Sequence, residues 1–261
     1  MIRAGIGGWN FEPWRGVFFP KGTAKTKELQ YASRKLTTIE VNGTYYSTFK
    51  PNTFRKWHGE TPDDFVFSLK ANRFATNRRV LAEAKPSITR FLESGVSELK
   101  SKLGPILWQF MHTKKFDAGD FEAFLALLPK TIDGLKLRHA VEPRHESFCV
   151  AEFVALARKY DTAIVFADSA KYPTIVDPTS DFVYCRLQNT QENVPTGYKP
   201  AAIKKWAEAA KTWESGGTPK ELKLLGKAAA RKKRDVFVYF IAGAKVRNPA
   251  AAVALLKSLK T

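Results

Sequence analysis

The chain has 261 residues, of which 44% are hydrophobic, and it therefore has enough apolar residues for a large core. No apolar run approaches the roughly 20 residues of a membrane-spanning helix, which excludes a membrane as the expected partner. The net charge of +18 implies a positive surface potential that attracts nucleic acid or another polyanion, with plain solubility as the alternative. A strand pattern at the very start leaves no room for a signal peptide, and the chain has only two cysteines. Both features predict a cytoplasmic protein without disulfides.

Eight short apolar stretches predict β-strands, and most of them end in a polar or charged residue. In chain order they are residues 3–6, 38–42, 65–70, 106–109, 137–142, 163–168, 182–188 and 236–239. Helical patterns lie between them, at residues 25–34, 52–59, 81–100, 119–128, 150–160, 200–215 and 249–259. Alternation of strand and helix predicts an α/β protein with parallel strands. The length is close to the roughly 250 residues of one (β/α)8 barrel. We therefore expect a single TIM-like barrel domain, residues 1–261.

The least regular part of the pattern precedes the eighth strand. Residues 215–234 open with a loop signal and continue as a basic, helix-like segment. Lys223, Lys227 and Arg231 are four residues apart and would share one helix face. This segment is interpreted as a solvated surface helix, with a nucleic-acid contact as the alternative.

Alternation along the strands predicts which side chains fill the barrel lumen. Apolar residues such as Ile39 and Val41 should face the helices, and the polar residues between them should point inward. In the sixth strand this rule places Phe166 and Asp168 inside. The charged residues expected at the upper end of the lumen are Glu40, Glu142, Asp168, Lys70, Arg144 and Arg186, with Gln109 and Tyr239 in matching positions. They could form a self-neutralising structural network, but their position at strand ends favours an active site.

Eight phrases occur in a recognisable order: GIGGW, TIEVNGTYY, TPDDFVFSLKA, LGPILWQF, HAVEPRHESF, FADS, FVYCRL and VFVYF. Together they resemble the YecE-like family, also called domain of unknown function 72, from residue 2 to about residue 259. The resemblance implies a TIM-like barrel and does not imply an established activity. The family motifs are matched here by Gly7, Gly8, Trp9, Glu40, Asn42, Tyr45, Lys70, Gln109, Glu142, Arg144, His145, Asp168 and Arg186.

Three positions depart from the family pattern. Asn77 follows Thr76 where the family usually has histidine, and Gln188 and Asn189 replace a His-Gly pair after the seventh strand. An Asn-rich phrase after the eighth strand is replaced by residues 241–243. Two imidazoles are thereby lost, which argues against metal binding or proton transfer through them.

Metal chemistry has few ligands available in this sequence. The chain has four histidines, too few well-placed imidazoles for a multi-zinc phosphodiesterase site. No motif for a nucleotide or zinc cofactor is found. A hard divalent cation on Glu40, Glu142 and Asp168 remains an alternative.

Acid–base chemistry has better candidates. Arg144 and Arg186 should keep Glu142 ionised. His145 is the only histidine well placed for proton transfer, although it could equally cap or pack in its loop. We list Glu142, His145, Asp168 and Glu40 as candidate catalytic residues. The candidate substrate-binding residues are Trp9, Asn42, Tyr45, Lys70, Gln109, Arg144, Arg186 and Tyr239.

The loop after the eighth strand predicts an anion site. Gly243 permits a close backbone approach, and Lys245 and Arg247 add positive charge. Asn248 is expected to be the N-cap of the following helix, with Pro249 at its first position. Free N–H groups at the start of a helix favour phosphate binding. The alternative is an ordinary capped helix with cations on its surface.

Two functional hypotheses follow from these patterns. The first is an enzyme, a hydrolase or another enzyme that acts on a phosphorylated or nucleic-acid-related substrate at the strand ends. The second is a non-catalytic nucleic-acid-binding protein that uses its basic surface. The sequence leaves the substrate and the oligomeric state open.

Overall fold

The structure, a computed structural model, describes residues 1–260. Eight parallel strands close into a barrel in the order β1-β10-β9-β8-β7-β4-β3-β2, which confirms the predicted (β/α)8 architecture. The barrel strands are β1 (Ile2–Gly7), β2 (Thr38–Val41), β3 (Val66–Lys70), β4 (Leu103–Gln109), β7 (His139–Glu142), β8 (Ala163–Asp168), β9 (Phe182–Leu187) and β10 (Asp235–Phe240). A small antiparallel hairpin, β5 (Thr131–Ile132) with β6 (Leu135–Lys136), lies outside the barrel.

Nine α-helices lie between or after the strands in the described residues. They are α1 (Glu28–Lys35), α2 (Gly43–Tyr46), α3 (Pro51–Glu60), α4 (Arg73–Thr76), α5 (Lys85–Leu92), α6 (Ala118–Ala126), α7 (Ala151–Lys159), α8 (Pro200–Glu214) and α9 (Asn248–Lys260). Local sequence explains several of their starts. Pro51 and Pro200 occupy the first position of α3 and α8, where a missing N–H costs no hydrogen bond. The side chain of Asp117 caps α6 by accepting from the N–H of Asp120 at 2.8 Å.

Two apolar clusters divide the core. The larger one packs the outer face of the barrel against the helices and includes Ile39, Val41 and Phe67. The smaller one fills the lumen and includes Tyr184 and Tyr239. The alternation predicted for the second, third, fifth and seventh strands is therefore confirmed.

The prediction for the sixth strand is wrong. In β8, Ala163 and Val165 belong to the lumen cluster, whereas Phe166 packs outward with the helices. The Phe166 ring lies 5.6 Å from that of Trp206 and 5.4 Å from that of Trp213, both on α8. Because side chains alternate along a strand, Asp168 also lies on the outer side.

Two predicted helices also differ from the structure. Residues 81–100 are broken into the 3-10 turn Leu81–Ala84, helix α5 and the 3-10 segment Val96–Lys102. The break comes at Gly95, which has φ +106° and packs so closely on Pro51 that a Cβ would lie 2.6 Å from its Cα. A left-handed residue of this kind ends a helix.

The basic segment between α8 and β10 contains no helix. The carboxylate of Asp177 accepts hydrogen bonds from the N–H groups of Leu225 and Gly226, both at 2.9 Å. Arg234 donates to the carbonyl of Gly216 at 2.9 Å. These contacts hold the segment in an irregular path, so Lys223, Lys227 and Arg231 do not share a helix face. Among residues 1–260, no helix is long and apolar enough to cross a membrane.

Candidate functional site

The centre of the site is Arg186 on β9, whose side chain lies inside the barrel near the carboxyl ends of the strands. Its Nη1 donates to both carboxylate oxygens of Glu142 on β7, at 2.7 Å each. Its Nε and Nη2 donate to the two oxygens of Glu40 on β2, at 3.1 Å each. All three side chains are buried. One guanidinium thus connects two carboxylates from different parts of the barrel.

Neutral groups complete the hydrogen bonding of this network. Tyr184 donates its hydroxyl to Oε2 of Glu40 at 2.7 Å, and Ser68 Oγ lies 2.9 Å from the same hydroxyl. Gln109 donates its amide Nε2 to Glu142. Buried charges are tolerated only when their remaining hydrogen-bonding capacity is also met, and here it largely is.

The electrostatics keep Glu142 from easy protonation. Burial alone would raise the pKa of Glu142, but Arg186 and then Arg144 lower it to about 2. Glu142 and Glu40 in turn raise the pKa of Arg186 against the effect of its burial. The pair Glu142–Arg186 is therefore ionised throughout the physiological range, and Glu142 is a weak base at neutral pH.

Lys70, the last residue of β3, also has a strongly shifted pKa. Its side chain is only 7% exposed. Burial, and next the charge of Arg186, lower its pKa to about 8, although Glu40 and Glu142 oppose the shift. Its Nζ lies 4.0 Å from the centre of the Tyr45 ring, a cation–π contact. No carboxylate among residues 1–260 forms an ion pair with this ammonium.

Arg144 covers one side of the network. Its Nη2 lies 3.5 Å from Oε2 of Glu142, and its guanidinium stacks 4.2 Å from the centre of the Tyr172 ring. With Lys70 and Arg186 it makes three cations against the two carboxylates Glu40 and Glu142. The charges therefore do not cancel, and the excess is positive.

Asp168 is separate from these charges, contrary to the sequence prediction. It lies on the outer side of β8, where its carboxylate accepts from the hydroxyl of Tyr198 and the amide of Asn189, both at 2.9 Å. Its hydrogen bonds tie loop ends together. A cation site on Glu40, Glu142 and Asp168 would need all three carboxylates on one side of the barrel wall. Glu40 and Glu142 lie inside the barrel, whereas Asp168 lies outside. Among residues 1–260, no group of three or more His, Cys, Asp or Glu side chains could hold a metal ion.

His145 begins a 3-10 turn, Glu146–Phe148, immediately after Arg144. Its Nδ1 accepts from the N–H of Ser147 at 3.1 Å and lies 2.9 Å from the hydroxyl of the same residue. Nδ1 is thus an acceptor, and a neutral ring carries its proton on Nε2. The contacts match the capping alternative, and proton transfer through Nε2 stays a prediction.

Three of the predicted substrate-binding residues, Trp9, Asn42 and Tyr239, lie outside the charged network. Trp9 packs edge-on against Trp57, with ring centres 5.3 Å apart, and so contributes to the packing of α3. Tyr239 is 0% exposed and lies within the lumen, with its hydroxyl 2.8 Å from that of Thr38. Asn42 follows β2 and is half-buried. Of the three, only Trp9 and Asn42 have any surface that a ligand could reach.

The predicted anion loop has its cations in contact with protein groups. The ammonium of Lys245 lies 4.2 Å from the centre of the Phe11 ring, and Arg247 donates Nε to the carbonyl of Glu192 at 2.9 Å. Gly243 has φ +57° and packs against the backbone of Thr190. Asn248 is not an N-cap as predicted, because it has helical φ and ψ and its side chain accepts from the Thr190 hydroxyl at 2.9 Å. The anion site itself stays a prediction.

Sequence reasoning did not identify two groups that hold the network. Strand alternation points Tyr184 and Ser68 inward but does not show that they bind the charged groups. A tyrosine that alternates with apolar strand residues is nevertheless a recognisable signal for a buried hydroxyl. Tyr172 lies in an irregular loop, and nothing in its sequence context indicates a partner for Arg144.

The closed parallel barrel with polar side chains at its strand ends defines a TIM-type barrel protein. The chain belongs to the family described as "Protein of unknown function DUF72", whose family model matches residues 3–261. This confirms the family resemblance inferred from the motifs.

Relatives and solved structures agree with this assignment. The chain is 28% identical over 121 residues to UPF0759 protein YunF of Bacillus subtilis, a match that covers 42% of this chain and 40% of YunF. It is 28% identical over 151 residues to UPF0759 protein YecE of Escherichia coli strain K12, covering 57% of this chain and 50% of YecE. The chain thus matches about half the length of these curated relatives.

Two crystal structures of DUF72 family proteins share the fold. The protein from Thermotoga maritima superposes with a TM-score of 0.77 at 22% identity and covers 100% of both chains. The protein from Enterococcus faecalis superposes with a TM-score of 0.74 at 17% identity, covering 100% of this chain and 96% of that chain. At these identities the likeness shows the fold alone.

Proposed function

We propose that the protein is an enzyme that binds a phosphorylated or nucleic-acid-related substrate at the mouth of the barrel, the C-terminal ends of its strands. Lys70 is the single observation that carries this proposal. It is a nearly buried ammonium without a carboxylate partner, beside a network in which the other charges are already paired. Burying a cation is costly, and an anionic ligand would remove that cost.

The residues around Lys70 would have different roles in binding a phosphorylated substrate. Arg186 is held by Glu40 and Glu142, so it supplies positive potential and rigidity without being free to move. Arg144 is less constrained and lies at the edge of the network, where it could contact a phosphate oxygen. Tyr45 covers the ammonium of Lys70 on one side. A preorganised set of cations is what stabilises charge that develops on a transferring phosphoryl group.

Lys70 also fits proton transfer better than Glu142 does, because Arg186 and Arg144 hold Glu142 ionised. A pKa of about 8 leaves this amine mostly charged at neutral pH but with a minor neutral fraction that can accept a proton. Bound phosphate would favour the charged form, so substrate binding and protonation of Lys70 should be linked.

We place the protein in the cytoplasm, an assignment supported by Cys149 and Cys185, both of which are free thiols.

Titration with inorganic phosphate tests the binding step. Lys70→Met keeps the length of the side chain and removes the charge, and it should weaken phosphate binding about tenfold or more. Lys211→Met removes a charge from the exposed surface of α8 and should leave the affinity nearly unchanged. Turnover of simple phosphate mono- and diesters by the wild type, lost in Lys70→Met, would support catalysis. Equal phosphate affinity in the wild type and Lys70→Met would overturn the proposal.

Non-catalytic nucleic-acid binding is the second candidate, favoured by the net charge of +18. A protein that binds only through its basic surface should lose affinity steeply with salt, and Lys70→Met should make little difference. Salt titrations of the wild type and Lys70→Met separate the two functions.

A further inference from the structure

Beside the barrel mouth lies a cavity of about 370 Å³ between Tyr46, Phe74, Arg78 and Arg90, here called the rim pocket. Tyr46 ends α2, which follows β2, and Phe74 lies in α4, which follows β3. Both helices therefore start at the carboxyl ends of their strands. The pocket lies on the same face of the barrel as Lys70.

Two large aromatic rings are exposed at the rim pocket. Tyr46 is 63% exposed and Phe74 is 62% exposed, although most aromatic side chains of this protein lie in the core. The guanidinium of Arg73 lies 5.9 Å from the centre of the Tyr46 ring and 5.6 Å from that of Phe74. Exposed rings flanked by a cation offer flat surfaces on which a nucleobase can stack.

The cations of the rim pocket are not neutralised by the protein. Arg78 is fixed in place, because its Nε donates to the carbonyl of Phe74 at 3.0 Å and its Nη2 donates to Ser87 Oγ at 2.9 Å. Neither Arg73, Arg78 nor Arg90 forms an ion pair with a carboxylate among residues 1–260. Arg78 and Arg90 line the pocket, and Arg73 lies beside its two exposed rings. Together the three guanidinium groups attract phosphate to this opening.

A chain of ring contacts connects the rim pocket to the mouth. Nζ of Lys70 lies over Tyr45, and the rings of Tyr45 and Tyr46 are 5.0 Å apart. Cation, ring, ring and cation thus follow one another from Lys70 to Arg73. The path therefore has positive charge at both ends, where phosphates could bind, and aromatic surface between them, where a base could stack.

We propose that the rim pocket binds single-stranded nucleic acid, with a base on Tyr46 or Phe74 and the backbone phosphates on Arg73, Arg78 and Arg90. The strand would run from the pocket towards Lys70. The direction of the strand rests on the proposed function of the mouth. Binding of nucleic acid in the rim pocket does not depend on that function. Stacking and charge do not discriminate among bases, so binding should depend little on sequence.

Fluorescence anisotropy with a labelled short oligodeoxythymidine tests this proposal. The double variant Tyr46→Ser/Phe74→Ser should weaken binding about tenfold or more, because it removes both rings on which a base can stack. Val17→Ser, which removes an apolar side chain that is also 63% exposed, should leave the affinity unchanged. Because all three residues are exposed, the variants should fold, and thermal melting of each one checks this.

Charge variants and other ligands complete the experiment. Arg90→Gln should reduce the salt slope of binding by about 0.7, the value for one single-strand phosphate contact, whereas Lys257→Gln on α9 should reduce it less. Thymidine monophosphate should bind far more weakly than the oligonucleotide, and duplex DNA should compete poorly. Equal affinity for the mononucleotide, preference for the duplex, or wild-type affinity in the double variant would each overturn the rim-pocket proposal. Loss of phosphate binding in Lys70→Met alone tests the mouth independently.

Discussion

Arg186 holds the carboxylate of Glu142 through a single nitrogen, Nη1, which lies 2.7 Å from each carboxylate oxygen. The other two nitrogens of the guanidinium remain for Glu40. This division lets one cation form ion pairs with two buried acids, and Arg144 brings a second positive charge to Glu142. It also means that removing either acid leaves Arg186 partly uncompensated in a buried position.

Glu142→Gln should lower the free energy of unfolding by about 3–5 kcal/mol, the usual effect of breaking a buried ion pair from one side. Urea denaturation at neutral pH measures this change. Glu146→Gln, four residues away and exposed, is the matched control and should change the stability by less than about 0.5 kcal/mol. A loss below about 1 kcal/mol in Glu142→Gln would contradict the buried pairing.

Lys70 should destabilise the folded protein below about pH 8 and less so above it. Its pKa is about 8 in the folded state and 10.5 ordinarily, so between these values the unfolded state binds more protons and stability rises with pH. Lys70→Met should therefore be more stable than the wild type at pH 7, by up to about 3 kcal/mol. The difference should shrink as the pH rises towards 10.5, as urea titrations in phosphate-free buffers would show. A difference that is independent of pH would contradict the lowered pKa.

His139 should contribute stability that is lost in mild acid. Trp108 donates its indole N–H to Nδ1 at 3.1 Å, and Nε2 lies 2.8 Å from the carbonyl of Pro129, so the ring is neutral with its proton on Nε2. Burial lowers its pKa from 6.5 to about 4. The stability is complete above pH 6.5 and is lost as the pH falls through about 4, by up to about 3 kcal/mol.

The control for this titration is His139→Leu, which cannot be protonated. It should be less stable at neutral pH by about 1–3 kcal/mol, because the Trp108 donor and the Pro129 carbonyl lose their partner. Between pH 7 and 4, however, its stability should fall less than that of the wild type. Parallel pH profiles for the two proteins would show that His139 does not titrate as expected.

The loop after β10 remains a predicted phosphate site. Removing both cations, in Lys245→Ala/Arg247→Ala, should reduce phosphate binding at this loop. NMR chemical-shift changes of Gly243 and its neighbours during a phosphate titration measure this binding. Lys245 would have to leave the Phe11 ring to reach a ligand, so we expect weaker binding here than at Lys70. Unchanged shifts at Gly243 in the wild type would argue for an ordinary helix start.

Much of the fold was predictable because strand alternation is strong in most of the barrel. The sequence TIEV leaves no doubt about which face of β2 is apolar, and FVYCRL is nearly as clear for β9. The inward positions of Glu40, Lys70, Glu142 and Arg186 followed from that alternation. The sequence AIVFAD of β8 is apolar at both faces, so its pattern does not define the lumen side. In β8 the size of Phe166 determines which face points outward, because the space for its ring lies beside the tryptophans of α8.

The remaining differences come from tertiary contacts that no local pattern encodes. Gly95 ends a helical pattern because the backbone packs on Pro51, more than forty residues earlier in the chain. The basic segment before β10 lacks a helix because Asp177 binds its backbone N–H groups. The rim pocket combines residues of three separate helical segments. Its aromatic and basic residues are individually unremarkable in the sequence, and only the fold brings them together.

The bridge between Glu40 and Arg186 joins residues 146 positions apart in the chain. Glu40 belongs to the first quarter of the barrel to be synthesised, and its cation arrives only when β9 is added. Contacts of such long sequence separation usually form late in folding. We therefore expect the charged network to be absent from the folding transition state, so that substitutions at Arg186 accelerate unfolding and hardly change the folding rate. The same bridge that organises the mouth would then determine how long the native barrel persists once it has formed.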